Sequence, residues 1–233
     1  MSSNIDIITV CYNSSHFITN LIKSLDKNTN QDYRMVIVDN GSSEYHQEVL
    51  DKIEKERGAF ILRRIQAPVS AKYAASRHHG EALQHAVTNL PLSHVGVIID
   101  CDSYVIKKNW DIDVLRMLDS FQHISCKRPG VKFGCGAWFS AFRINTVIEN
   151  DISFLPVLML NGYDCPRPNL YDVGSDMIRI EPWKPLFHHN TLKYHDHSHV
   201  WMFDESFFID HLGGCRAVGD IDEWKKWLDE KWG

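Results

Sequence analysis

The sequence has no C-x-x-C pair, no lysine- or arginine-rich block and no long apolar run. Each absence removes a class of function. Six cysteines (Cys11, Cys101, Cys126, Cys135, Cys165 and Cys215) without paired spacing give little basis for a thiolate zinc site. A net charge of −5 with no basic cluster argues against a nucleic-acid partner, which usually needs a basic face. The longest apolar patch, Phe154 to Leu160, contains Pro156 and is too short to span a bilayer. Met1-Ser2-Ser3-Asn4 carries none of the basic and apolar character of a secretory signal. The expectation is a cytoplasmic protein with reduced thiols and no transmembrane segment. A peripheral role at the inner face of a membrane is compatible with this.

The remaining composition is that of a globular chain, 233 residues long and without low-complexity segments. Its first half alternates between two periodicities. Ile5–Cys11, Met35–Val38, Phe60–Ile65 and Val95–Ile99 are short, β-branched, apolar runs, the pattern of strands buried on both faces. Between them, helices are expected from Asn13, Ser14 or Ser15 through Leu25, from about Ser43 to Arg57, and over Ala71–Val87. Trp110–Phe121 and the terminal Asp220–Trp232 segment also have helical character. Repeated strand–helix units imply right-handed crossovers and a mostly parallel sheet with helices on both faces. With no repeat and no evident linker, one α/β domain is the economical expectation.

In such a sheet, ligands bind beyond the carboxyl ends of the strands. Three polar clusters fall there: Tyr12-Asn13, Asp39-Asn40 and Asp100-Cys101-Asp102. In extended backbone, Asp100 and Asp102 point the same way, and two hard oxygen donors suit Mg²⁺ or Mn²⁺ bridging to phosphates. The competing reading is a pair of loop acids stabilising a turn. These residues alone point to a nucleotide or other small polar ligand and to no particular reaction.

The same segments, taken in order, resemble the family 2 inverting glycosyltransferases of the glycosyltransferase-A fold, a Rossmann-like architecture. Ile8-Thr9-Val10-Cys11-Tyr12-Asn13 is similar to that family's first strand and loop. Val36-Ile37-Val38-Asp39-Asn40-Gly41-Ser42-Ser43 resembles its second motif, and Ala75-Ser76-Arg77-His78-His79-Gly80-Glu81-Ala82-Leu83 a third, looser one. Ile98-Ile99-Asp100-Cys101-Asp102 resembles its metal-binding D-x-D.

The resemblance implies a nucleotide-sugar-binding half over about residues 1–105 and an acceptor-binding half over about 106–233. Thr9, Tyr12 and Asn13 would line the nucleoside, Asp39 would hydrogen-bond the base, and Arg77 would lie near base or diphosphate. Asp102 would ligate Mn²⁺ or Mg²⁺, with Asp100 contacting ribose or a metal-bound water and Cys101 between them. Phe133-Gly134-Cys135-Gly136-Ala137-Trp138 resembles the acceptor-side loop, making Gly134, Gly136 and Trp138 acceptor candidates. Tyr171-Asp172-Val173-Gly174-Ser175-Asp176 occupies the place of the catalytic acid, although the family's Glu-Asp pair is absent. Asp172 is the first candidate for the base and Asp176 the second; each also suits a helix cap. His211-Leu212-Gly213-Gly214 resembles a late histidine–glycine motif in which the histidine completes the metal site, while His195, His197 and His199 offer a competing metal cluster.

The implied reaction is transfer from a nucleotide sugar, with UDP-sugars favoured, to a saccharide, lipid-linked or other hydroxyl acceptor. Two alternatives stay open: a nucleotidyltransferase, and a sugar-nucleotide-binding module without activity. The first is disfavoured because Cys11-Tyr12-Asn13-Ser14-Ser15 is unlike a glycine-rich, basic phosphate loop.

Overall fold

The computed structural model describes residues 5–63, 74–127, 135–156, 173–188, 199–203, 206–211 and 221–232. Strand β1 is Ile5–Cys11, followed by helix α1 (Ser15–Asn28), β2 (Tyr33–Asp39), α2 (Glu44–Arg57) and β3 (Phe60–Arg63). Helix α3 (Ala74–Asn89) leads into β4 (Val95–Ile99), the short β5 (Ser103–Val105) and α4 (Trp110–Met117). Then come β6 (His123–Lys127), β7 (Cys135–Arg143), α5 (Ile144–Glu149) and a 3₁₀ turn at Ser175–Arg179. The described elements end with β8 (Trp183–His188), β9 (His199–Phe203), β10 (Ser206–His211) and α6 (Ile221–Trp232).

The strands lie in the order β3-β2-β1-β4-β7-β6-β8-β9-β10-β5. Pairs β3/β2, β2/β1, β1/β4 and β6/β8 are parallel, whereas β7 runs antiparallel to both β4 and β6. These seven strands form the expected mostly parallel sheet. Beyond them, β9, β10 and β5 continue as an antiparallel extension from the end of β8. That extension carries β5, only a few residues after β4 in sequence, to the far end of the order.

Alternation along the central strands explains the two-sided core. Ile5, Ile7, Met35, Ile37, Val97 and Ile99 pack with Phe17, Ile18 and Leu21 of α1, Leu50 and Ile53 of α2, Trp110 of α4 and Trp224 of α6. Their neighbours Ile8, Val36, Val38 and Ile98 pack on the opposite side with Ala82, Leu83 and Ala86 of α3 and Val147 of α5. Shifting any of these strands by one residue would exchange the two sets, so the register is strongly specified. The expected helices are present with small changes at their ends: α4 stops at Met117, short of Phe121, and α3 extends to Asn89.

The order 3-2-1-4 has a topological consequence. The chain leaves β1 toward β2 on one side and returns through α3 to place β4 on the other. The crevice between the carboxyl ends of β1 and β4 is therefore the switch point at which open α/β sheets bind ligands.

Candidate active site

Three loops meet at this upper edge, and their backbones are tied together. Asn40 N–H donates to Cys11 O at 2.8 Å, joining the ends of β2 and β1. Asn13 adopts the left-handed conformation, φ 53°, which asparagine tolerates better than most residues. In that pose its N–H donates to Ser42 Oγ at 2.9 Å, and its Oδ1 accepts the Ser43 N–H at 2.8 Å. Asp39 Oδ1 accepts the Ser42 N–H at 3.1 Å, so this buried carboxylate shapes the turn.

Hydroxyl and thiol groups span the switch point. Ser14 is the residue before α1, yet its hydroxyl caps no helix amide. It turns back to accept the Tyr12 N–H at 3.2 Å and to donate to Cys11 Sγ at 3.6 Å. Cys101 Sγ, from the D-x-D segment, donates to the same Ser14 Oγ at 3.4 Å. One serine thus links the β1 loop to the loop after β4. Burial pushes the Cys11 thiol up from its ordinary value, which keeps it protonated and unreactive at neutral pH.

The D-x-D segment is anchored through its backbone. Asp100 N–H donates to Trp138 O on β7 at 3.0 Å, and Asp100 O accepts the Ser103 N–H at 3.1 Å. Asp102 is 5% exposed and Cys101 7%. The Asp100 Oδ1 atom lies 3.4 Å from His79 Nε2 on α3. On the same helix, Arg77 Nε donates to Glu81 Oε1 at 2.8 Å.

The upper edge therefore gathers Tyr12, Asn13, Asp39, Asp100, Cys101 and Asp102, with Arg77 on the adjoining helix. Trp138 and Gly136 lie on β7, the neighbour of β4. Strand β10 places His211 in register with Ser103, one residue from Asp102, and in register with His199 on its other side. Two candidates sit elsewhere. Thr9 is fully buried two residues before the end of β1. Asp176 lies in the 3₁₀ turn, where its Oδ2 accepts the Ser153 N–H at 2.9 Å and Arg179 Nη1 at 2.8 Å. Asp172, Gly134, His195 and His197 fall outside the described residues. Residues that the motif analysis did not single out are Ser14, Ser42 and His79, and Asn40 appeared there only as a member of the Asp39-Asn40 cluster. Ser42, Asn40 and His79 stood inside quoted motifs, and Ser14 stood among the possible caps of α1; only the fold reveals their partners.

Among the described residues, no three histidine, cysteine or acidic side chains converge as a metal cage. The donor chemistry nevertheless fits a hard divalent cation: such ions are commonly held by one or two carboxylates while substrate phosphates complete the shell.

The model of glycosyl transferase family 2 matches residues 6–165, more than half of the chain. Among curated proteins, none matches the sequence. Several solved structures share the fold. S. aureus TarS superposes with a TM-score of 0.55 at 13% identity, covering 88% of this chain and 36% of that one. S. aureus TarS 1-349 in complex with UDP gives 0.52 at 14% identity, with 88% and 59% coverage. The mannosyltransferase PcManGT from Pyrobaculum calidifontis, in complex with GDP-Man and Mn²⁺, gives 0.49 at 16% identity, with 66% and 48% coverage. In all three cases the chain spans less than two thirds of the other protein's length.

Proposed function

The chain belongs to glycosyl transferase family 2, and we propose that it transfers a sugar from a nucleotide-sugar donor to an acceptor hydroxyl with inversion at the anomeric carbon. The observation that carries this reading is the meeting of the Tyr12-Asn13, Asp39 and Asp100-Asp102 loops at the switch point between β1 and β4.

In this reading, the nucleoside seats along the β1 and β2 loops, against Tyr12, Asn13 and the Asp39 carboxylate. The donor diphosphate lies toward Asp100, Cys101 and Asp102, with Arg77 at its side. Asp102 and Asp100 would hold Mn²⁺ or Mg²⁺, and His211 is the candidate third protein ligand. The bound cation would neutralise charge developing on the departing diphosphate. UDP is the favoured nucleotide, in line with the UDP held by the TarS structure; GDP and dTDP are the alternatives to test.

The acceptor approaches from the β7 side, near Gly134, Gly136 and Trp138, and is a saccharide, a lipid-linked sugar or another hydroxyl compound. A carboxylate takes the acceptor proton as the oxygen attacks. Asp172 is the preferred base, because Asp176 Oδ2 is already engaged by Ser153 and Arg179. Residues to about 105 bind the donor, and the remainder serves the acceptor within the same domain. No helix among the described residues is long and apolar enough to cross a membrane. Cytoplasmic action, including at the inner face of a membrane, is the proposed setting.

The test is nucleotide release from UDP-, GDP- and dTDP-sugars with Mn²⁺, Mg²⁺ or EDTA. Metal-dependent release from one donor, sharply reduced in Asp172→Asn, supports the transferase and its base. Full activity in both Asp172→Asn and Asp176→Asn overturns the base assignment. Donor binding with no release, even with a panel of acceptors, identifies a binding module instead.

A further inference from the structure

We infer that His79 is a positioning residue for Asp100, holding the first carboxylate of the D-x-D segment in the rotamer that receives the donor. The inference rests on reading the upper edge as a nucleotide-sugar site. It starts from how firmly α3 is fixed there. Asn40 Nδ2, from the loop after β2, donates to His78 O at 3.0 Å. Gly80 lies so close to the chain at Phe154 that a Cβ would come within 2.6 Å of the Phe154 carbonyl oxygen. The Phe154 N–H is itself held by Gln84 Oε1 of the same helix at 3.0 Å. The first turns of α3 are therefore clamped between the β2 loop and the segment after α5, and His79 has little freedom to move away.

Asp100 is constrained in a complementary manner. Its backbone is pinned to Trp138 O and to the Ser103 N–H, so its carboxylate adjusts mainly by side-chain rotation. His79 Nε2 is buried and has no hydrogen-bond partner among the described residues. It lies 3.4 Å from Asp100 Oδ1, within ion-pair reach but not aligned as a hydrogen bond. A buried imidazole nitrogen without a partner is costly, and catalytic hydrogen bonds are often long before the ligand arrives. A small rotation of Asp100 brings Oδ1 onto the Nε2–H of the ring. That bond gives the buried His79 nitrogen its partner and fixes the rotamer of the carboxylate. Histidine suits this place because its ring reaches across from a helix and carries an N–H donor at its far end.

The test uses His79→Ala and His79→Gln, the latter retaining an N–H donor near the Nε2 position. Two readouts avoid turnover: free Mn²⁺ followed by electron paramagnetic resonance, and titration with UDP, GDP and dTDP in the presence of Mn²⁺. Outer partners of metal-site ligands typically change affinity by about 10- to 100-fold. His79→Ala is expected to weaken Mn²⁺-dependent nucleotide binding about tenfold, His79→Gln to restore most of it, and both to melt near wild type. In an Asp100→Asn background, His79→Ala should add no further loss. Wild-type affinity in His79→Ala overturns the inference while leaving the site reading intact. Equal losses in Ala and Gln, accompanied by lowered melting temperatures, also overturn it, since they mark a structural histidine. If wild type binds none of the three nucleotides with Mn²⁺, the site reading itself falls and the inference falls with it.

Discussion

The two edges of the central sheet handle acidic residues in opposite ways. At the lower edge, Asp6 on β1 is fully buried and met by Arg34 of β2 through two bonds, Nε to Oδ1 at 2.7 Å and Nη2 to Oδ2 at 3.0 Å. The Ser93 N–H adds a third donor to the same carboxylate. Close by, Asp26 accepts from Tyr33 and Arg57. A groove of about 1210 Å³ opens along this edge, lined by Asp26, Arg34, Arg57 and His94 among others. Its size attracts attention, but Asp26, Arg34 and Arg57 are already matched within the fold. At the upper edge, Asp39 and Asp100 to Asp102 are gathered among hydroxyls, thiols and backbone amides, and His79 Nε2 lies 3.4 Å from Asp100 Oδ1. A carboxylate matched by a guanidinium inside the sheet holds the chain together; carboxylates gathered at a switch point are suited to a cation that substrate phosphates help to hold. The proposed site is thus argued from the chemistry of the edge and not from the size of a cavity.

This contrast can be broken most forcefully at the lower edge. Arg34→Ala strands the buried Asp6 carboxylate and should cost about 3–5 kcal/mol of stability. Denaturant unfolding measures that loss, and nucleotide affinity under folded conditions should remain that of wild type. Reduced affinity in the folded variant would mean that the two edges are coupled.

A second test uses pH. His123 on β6 is buried, stacked on Trp183 at 5.9 Å, and desolvation lowers its pKa from 6.5 to about 4. The folded protein therefore binds fewer protons here than the unfolded chain. Stability from this source is fully present above pH 6.5 and is lost as pH falls toward 4. At pH 5 the loss relative to pH 7 is roughly 2 kcal/mol. Unfolding curves at the two pH values check it, and His123→Gln should flatten the dependence. The contribution belongs to the core, so nucleotide contacts should be unaffected at pH 7.

The smallest expected effect concerns the stitching of the upper loops. Ser42→Ala removes the acceptor for the Asn13 N–H and the hydroxyl facing Cys11. It should cost about 1 kcal/mol. Because the Asn13 N–H is held by the Ser42 hydroxyl, nucleotide affinity should also fall, unlike in Arg34→Ala, although Asp39 keeps its bond to the backbone N–H at position 42. Unchanged affinity would show that these loops are rigid without the serine.

Much of the first half of the fold was legible in the sequence. Strands β1 and β4 end where the apolar runs of Ile5–Cys11 and Val95–Ile99 end, because strands buried on both faces leave a continuous hydrophobic trace. The D-x-D followed directly from that boundary. Less could be read from the second half, where β6 to β10 run in mixed directions and several strands pair with partners distant in sequence. Local pattern carries no information about such pairing. His211 illustrates this, since its register beside Ser103 depends on a strand pair spanning about a hundred residues. Ser14 illustrates another limit. It has the chemistry of a helix cap, but its hydroxyl serves Tyr12, Cys11 and Cys101. Asp176 stands where the family resemblance places the catalytic acid, and only the fold shows that its Oδ2 accepts from Ser153 and Arg179.

The central claim is that the upper edge binds a nucleotide together with a divalent cation. Calorimetric titration of UDP, GDP and dTDP into wild type and Asp102→Ala, with Mn²⁺ or with EDTA, tests it most directly. The account predicts binding of one nucleotide in Mn²⁺, weakened at least tenfold by EDTA and by Asp102→Ala alike. Equal affinity in Asp102→Ala and wild type with Mn²⁺ present, or no binding of any of the three by wild type, would contradict it.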